Sequence, residues 1–219
     1  ALQQLDEMVE KQAKAYTKNV ERVAAAAEGV YRVDQAKVAV MEALNIRLGG
    51  RPVPKAVQTL IDHGWKDLLR LTHIKHGADS EEWDSHLAIV DTLMQFSEKP
   101  DSKLDMKSIL PQIQKGLLTV SGNERPPEVV REELKKLIQS APHRKQEMVT
   151  SVIEKAEETE ETREARNTKV LKELKPWIRR ARALQAGSWV QLLKSSEPQY
   201  MRLVWVAKGY SKFVFVNHQ

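Results

Sequence analysis

Apolar residues recur at steps of three and four through most of the N-terminal two thirds of the chain, a spacing typical of amphipathic α-helices. The densest pattern follows Pro52 and Pro54, which lack a backbone N–H and disfavour helix in the residue before them. From there the spacing predicts a helix to about His76, a stop at Gly77 and a second helix that reaches Phe96. The predicted core of this helical hairpin consists of Val57, Leu60, Ile61, Trp65, Leu68, Leu69, Ile74, Trp83, Leu87, Ile89, Val90, Leu93, Met94 and Phe96.

The regions on either side of the hairpin show the same helical period. Residues 1–47 are predicted as helix almost throughout, with Gly29 as the position where a kink or break could form. We expect this stripe to pack on the hairpin. Shorter amphipathic helices are predicted at residues 106–118 and 128–139. Together these segments predict a multi-helix bundle over residues 1–141.

The pattern changes after the bundle. A short apolar stripe, predicted as helix, runs from Met148 to Ala156 and then gives way to the sequence EETEETREARNTK. A helix without an apolar face is held only by local side-chain pairs. Residues 142–176 are therefore expected to form a charged connecting helix or linker, and the domain boundary is placed there.

The C-terminal segment changes period again. Alternation in WVQLL, YMRLVWVA and KFVFV, with many β-branched and aromatic residues, predicts three antiparallel strands. Gly209 suits the turn between the last two strands, and a helix around Trp177 would cover the sheet. The predicted fold class is therefore mainly α: a multi-helix bundle, a charged linker helix, and a small antiparallel β-domain at residues 177–219.

Composition narrows the class of protein. The 219 residues carry a formal net charge of +5, because Lys and Arg are largely balanced by Asp and Glu, so an acidic partner is permitted but not required. The absence of cysteine excludes disulfides and thiolate metal sites and is compatible with a reducing cytoplasm. No apolar run approaches the length of a membrane span, and no charged-then-apolar leader occurs. We therefore expect a cytoplasmic protein without a membrane span.

Familiar catalytic patterns are missing from the sequence. It lacks H-E-x-x-H, G-x-S-x-G and a phosphate-binding loop. His73 and His76 lie three positions apart on one predicted helix. His63 and His86 are near them, but the spacing favours surface or loop histidines over a shared metal site. We predict that the chain is not an enzyme and has no catalytic residues, cofactor or metal.

Two tryptophans, Trp65 and Trp83, lie on the predicted apolar stripes. Such a pair could form a ligand platform, but aromatic residues at helical spacing more often belong to the core. We therefore predict that both are buried in the bundle.

The hairpin also has a spacing that resembles a known family. The residues that carry the resemblance are Pro54, Val57, Leu60, Trp65, Leu68, Leu69, Gly77, Ser80, Trp83, Asp91 and Leu93. The segments SILPQIQKGLLTV, GSWVQLL and RLVWVAKGYSKFVFVN are similar to later parts of the same family. This is a large bacterial family catalogued as domain of unknown function number 1631. The resemblance implies no particular activity, and because members are usually longer, it implies that this chain is the C-terminal part of such a protein.

A basic cluster precedes the first predicted strand and consists of Lys169, Lys172, Lys175, Arg179, Arg180 and Arg182. Its position resembles that of the arginines before PilZ domains, β-barrels that bind cyclic diguanylate. The strand motif of that family is absent, since Arg182 and Leu184 stand where it needs Asp or Asn and Ser. The cluster is either a solvated face that balances the acidic run Glu154–Glu164 or a site for phosphates and other anions. The candidate ligand-binding residues are Arg179, Arg180 and Arg182.

These observations favour a non-catalytic regulatory or scaffolding module that acts by binding another protein. The first alternative is an adaptor that responds to cyclic diguanylate, which the resemblance to PilZ implies. The second is a nucleic-acid-binding protein, which is less favoured because the aromatic residues do not interleave with the basic ones.

Overall fold

A computed structural model gives the fold and describes residues 2–98, 106–121, 127–140, 148–150, 174–193 and 198–217. The chain divides into two compact units: the helical unit, Val33–Ala156, and the sheet unit, Ala1–Arg32 with Glu157–Gln219. In order, the elements are α1 (Leu2–Leu48), β1 (Pro52–Pro54), α2 (Lys55–Leu60), a π-helical turn (Ile61–Trp65), α3 (Lys66–His76), α4 (Glu81–Glu98), α5 (Met106–Ser121), α6 (Glu128–Ser140), β2 (Met148–Thr150), α7 (174–182), β3 (Trp189–Leu192), β4 (Gln199–Val206) and β5 (Phe213–Asn217). The predicted fold class, mainly helical with a small C-terminal antiparallel sheet, is confirmed. Within the described ranges, no helix is both long enough and apolar enough to cross a membrane.

The first helix, α1, continues without a break through Gly29. A Cβ at Gly29 would meet nothing within 4 Å, and glycine inside a helix costs about 1 kcal/mol of stability without ending the helix. The C-terminal part of α1 contributes Ala36, Val40, Leu44 and Leu48 to the buried residues. Met8, Val9, Val30, Val33 and Val38, in contrast, are exposed, so the predicted packing of the whole apolar stripe is wrong at these positions.

The first helix of the predicted hairpin is interrupted. It begins only at Lys55, because Pro54 is extended, with φ −58° and ψ 137°. The π-helical turn then leaves helical geometry at His63 (φ −104°, ψ 33°) and Gly64 (φ 126°), and α3 starts at Lys66. Glycine adopts a positive φ at little cost, so Gly64 permits an interruption that the apolar spacing alone did not indicate.

The hairpin supplies most of the hydrophobic core of the helical unit. Every predicted hairpin core residue is buried except Ile74, which is half-buried. Trp65 and Trp83 are both buried, which confirms their assignment to the core. Around them, α6 packs on α2, and α5 packs on α3 and the π-helical turn. Gly116 permits the close approach of α5, since a Cβ there would lie 2.6 Å from Cδ2 of Leu68.

A two-stranded sheet joins segments that are far apart in sequence. β1 and β2 pair antiparallel, with Val53 opposite Val149. The helix predicted from Met148 to Ala156 is therefore wrong at residues 148–150, because pairing with a distant partner overrides a short apolar stripe. The remainder of the predicted connector, residues 142–176, lies outside the described residues apart from the start of α7.

The sheet unit contains the three predicted antiparallel strands, in the order β3-β4-β5. A shift of register between Leu203 and Trp205 gives β4 a bulge. Tyr31 of α1 contacts this sheet: its hydroxyl donates to the backbone oxygen of Lys208 at 3.0 Å, and its ring meets Trp205 edge to face, with centroids 5.6 Å apart. These contacts tie α1 to the sheet at Tyr31.

This grouping differs from the domain limits that the sequence suggested. We assigned residues 1–141 to the bundle and 177–219 to the β-domain, whereas Ala1–Arg32 groups with the sheet. The contacts of Tyr31 with the β4–β5 region give the physical reason for the grouping. The suggested limits themselves stay a prediction.

Candidate binding surface

One side of the three-stranded sheet carries two exposed aromatic residues, with an exposed glutamine and a half-buried arginine beside them. Residues opposite each other in an antiparallel pair lie on the same side of the sheet. The register places Trp189 opposite Arg202 and Gln191 opposite Tyr200. Trp189 is 51% exposed and Tyr200 is 59% exposed. We call these four residues the aromatic face.

The local sequence explains how the two sides of the sheet differ. Alternation along β3 puts Val190 on the side opposite to Trp189, and alternation along β4 puts Leu203 on that same side. Leu203 is fully buried. Gly187 (φ 101°) leads the chain into β3 and donates its N–H to the backbone oxygen of Leu203 at 2.7 Å. The side with Leu203 therefore packs inside the sheet unit, and the aromatic face is the more exposed side.

A second group of aromatic residues lies at the turn between β4 and β5. Tyr210 has a φ of 60°, and its ring centroid is 6.4 Å from that of Phe213. Trp205 meets Tyr31, as described above. Because these four rings already form contacts within the chain, we do not count them in the aromatic face.

The three arginines singled out from the sequence all lie on α7 and are exposed. The guanidinium of Arg180 lies 5.0 Å from the ring centroid of Trp177, a cation–π contact. Arg179 and Arg182 are three positions apart and so lie on the same side of the helix. The ion pairs of the described residues include none of the three. Their role as an anion site stays a prediction.

Four histidines lie near one another in the sequence: His63, His73, His76 and His86. Two of them make contacts within the helical unit. Nδ1 of His63 lies 2.9 Å from the backbone oxygen of Thr59, and the ring of His73 meets Trp83 edge to face at 5.5 Å. Where the structure describes the chain, no group of three or more His, Asp or Glu residues could hold a metal ion. The prediction that the protein binds no metal stays a prediction.

His86 differs from the surface or loop position that we expected. It is half-buried on α4, its Nδ1 lies 3.1 Å from Oγ1 of Thr72, and its ring meets Trp65 edge to face at 5.6 Å. Burial lowers the pKa of His86 below its ordinary value, although the negative charge of Glu82 acts in the opposite direction. Burial therefore favours the neutral ring at pH 7.

Trp189 and Tyr200 were not recognised from the sequence as a surface. The alternation in WVQLL and YMRLVWVA predicts strands but no shared surface. The alternation could have placed each on one side of its strand, but the register between β3 and β4 was needed to bring them together.

Comparison with known proteins matches two parts of the chain to two family models. Residues 26–148 match the family model described as "Protein of unknown function (DUF1631) third domain". Residues 176–219 match "Protein of unknown function (DUF1631) C-terminal tudor domain", whereas the likeness to PilZ has no support from these comparisons. No curated protein and no solved structure matches the chain. With more than half of its residues in the first match, the chain belongs to the DUF1631 family, as its hairpin spacing indicated.

Proposed function

We propose that this chain is a non-catalytic regulatory or scaffolding module that binds a protein partner through the aromatic face of its C-terminal sheet. The observation that carries the proposal is the exposure of Trp189 and Tyr200 on one side of a tudor domain. Removing a large aromatic side chain from water lowers the free energy of the system. A pair of them on one surface is therefore suited to association.

The composition of the aromatic face also supports protein binding. Trp, Tyr and Arg are the residue types most enriched among those that dominate the energy of protein interfaces. Trp189 lies directly opposite Arg202, and Tyr200 lies diagonally from Trp189, at the separation of about 7–8 Å that is typical of such a pair. One partner segment could therefore contact all three side chains.

A site-specific crosslinking experiment tests this proposal. We would replace Tyr200 with the photoreactive residue benzoylphenylalanine in cells, and place the same residue at Ile46 as a control. Ile46 is 76% exposed on α1 in the helical unit, so it is at least as accessible as Tyr200. We expect a discrete crosslinked species from position 200 that position 46 does not give.

The purified partner would then be used to measure affinity. We expect Trp189→Ala and Tyr200→Ala each to weaken binding by about 2 kcal/mol or more, the cost typical of a dominant interface residue. Ile46→Ala should bind like the wild-type chain. Equal crosslinking at both positions, or affinity unchanged by both aromatic variants, would refute the proposal.

A second candidate function is the binding of cyclic diguanylate by α7. It is supported by the exposure of Arg179, Arg180 and Arg182, since guanidinium groups form paired hydrogen bonds with phosphates. Calorimetric titration of the chain with cyclic diguanylate, beside the variant with all three arginines changed to Ala, tests it. Binding that the variant loses would support this function, and a flat trace from folded protein would exclude it. The same titration with single-stranded DNA tests the nucleic-acid alternative.

A further inference from the structure

A cleft of about 330 Å³ lies within the helical unit, between α3, α4 and α5. Its lining includes the buried residues Leu68, Ile89 and Gly116. Leu71 and polar and charged side chains from all three helices complete the lining. This volume is at the lower end of the range for ligand pockets in proteins, so it suits a small molecule.

The hydrogen bonds around His86 define which of its ring nitrogens carries the proton. The hydroxyl of Thr72 donates its only hydrogen to the backbone oxygen of Leu68 at 2.8 Å. Oγ1 of Thr72 must therefore accept from Nδ1 of His86, 3.1 Å away. In the neutral ring, Nε2 is then left as a hydrogen-bond acceptor.

The orientation of this ring is fixed on two sides. Thr72, which is only 5% exposed, holds the Nδ1 edge, and Trp65 packs edge-on against the ring at 5.6 Å. His86 and Thr72 both line the cleft. A fixed acceptor in a cleft favours a ligand that supplies an N–H or O–H hydrogen.

Two lysines give the cleft its positive charge. Lys75 lies near the end of α3 and Lys115 lies in the middle of α5, and both line the cleft. The hydrogen bonds and ion pairs found among the described residues involve neither ammonium group. Glu82 also lines the cleft, so its lysines and its glutamate together give the lining a formal charge of plus one.

Stabilisation of the helix dipoles explains the position of some, but not all, of the charged residues that line the cleft. Lys75 and His76 lie in the last turn of α3, where positive charge stabilises the helix dipole. Glu82 lies in the first turn of α4, where negative charge does the same. Lys115 has no such role, because it is far from both ends of α5.

We propose that this cleft binds a small organic anion that carries its own hydroxyl or amine hydrogen. The anionic group lies between the ammonium groups of Lys75 and Lys115. The ligand's hydrogen is donated to Nε2 of His86. The site is separate from the aromatic face and does not depend on the function proposed for it.

Nuclear magnetic resonance on the whole chain tests this site, with glycerol 3-phosphate as the probe because it combines an anionic group with two hydroxyls. We expect saturable shifts of the ring nitrogen Nε2 of His86. Glycerol, which has no charge, should give no saturable shift. Sulfate, which has no hydrogen to donate, should leave Nε2 of His86 unshifted.

Matched lysine variants complete the test. Lys115→Gln should weaken binding of glycerol 3-phosphate by about tenfold or more, the effect of losing one charge-assisted hydrogen bond. Lys66→Gln, on α3 but outside the lining of the cleft, should bind like the wild-type chain. No shift of His86 with glycerol 3-phosphate, the same shift with glycerol or sulfate, or equal weakening by both variants would overturn the proposal.

Discussion

The indole Nε1 of Trp65 donates a hydrogen bond to the backbone oxygen of His86 at 3.1 Å. This bond connects the end of the π-helical turn to the second turn of α4, and it lies beside the edge-to-face contact of the two rings. The most deeply buried aromatic residue of the helical unit therefore also positions the histidine of the cleft.

Trp65→Phe is expected to destabilise the helical unit by about 1–3 kcal/mol, because it removes this hydrogen bond as well as part of the packed volume. Trp83→Phe is the matched control. Trp83 is also buried, but the hydrogen bonds of the described residues include none from its indole N–H. Urea unfolding should show the larger loss for Trp65→Phe, and equal losses would contradict the role assigned to the bond.

The same glycine-to-alanine change should have opposite effects at two positions. At Gly116 a Cβ would lie 2.6 Å from Cδ2 of Leu68 and 2.8 Å from Cζ3 of Trp65, so Gly116→Ala should cost about 1–3 kcal/mol of stability. At Gly29 a Cβ meets nothing within 4 Å in a continuous helix, so Gly29→Ala should stabilise by about 0.5–1 kcal/mol. Thermal melts of the two variants test whether stability falls in the first and rises in the second. A Gly116→Ala protein as stable as the wild type would show that α5 can move away from Trp65.

Mild acid is expected to destabilise the chain through His86. Burial lowers the pKa of His86 in the folded protein, so the unfolded chain binds this proton more readily. The stability that the neutral ring contributes is present above the ordinary pKa of 6.5 and is lost as pH falls toward the lower folded pKa. Among the charged and titratable neighbours, Glu82 opposes the shift, and Lys75, His76 and Lys115 line the same cleft.

Melting temperatures measured between about pH 7.5 and pH 5 test this effect, since the interval brackets the ordinary histidine pKa. We expect the melting temperature to fall further for the wild-type chain than for His86→Gln, which has no proton to bind there. Parallel pH dependence of the two proteins would mean that His86 does not contribute.

Tyr31 is expected to hold α1 against the sheet. Tyr31→Phe removes only the hydrogen bond to Lys208 and should cost about 0.5–1.5 kcal/mol, whereas Tyr31→Leu also loses the edge-to-face contact with Trp205, worth about as much again. Hydrogen exchange of the amides in β4 and β5 is the measurement. Exchange that is faster in Tyr31→Phe and faster still in Tyr31→Leu supports the contact of α1 with the sheet. Unchanged exchange in both variants contradicts it.

The sequence was sufficient to predict the hairpin core because its apolar residues repeat over two long helices, and local periodicity then determines burial. It was not sufficient for the break at Gly64, since Ile61, Trp65 and Leu68 keep a helical spacing on both sides of it. β2 was missed for a different reason. Three residues fit a helix or a strand equally well, and the partner that decides between them lies far away at Pro52–Pro54.

Predicting the candidate sites from the sequence would require knowing which distant residues contact each other. Trp189 and Tyr200 become one surface only through the register of β3 with β4. The tautomer of His86 depends on Thr72, which belongs to a different helix. Neither relationship repeats along the sequence, so periodicity could not reveal it.

The pairing of β1 with β2 has a consequence for how the chain folds. Pro52 and Thr150 must meet across a loop of about 100 residues, and closing such a loop costs about 4 kcal/mol of chain entropy. Two strands of three residues, one with two prolines that cannot donate, cannot offset this cost alone. The pair should therefore form only after α2 to α6 have packed, and it should be the first contact to open when the helical unit loosens.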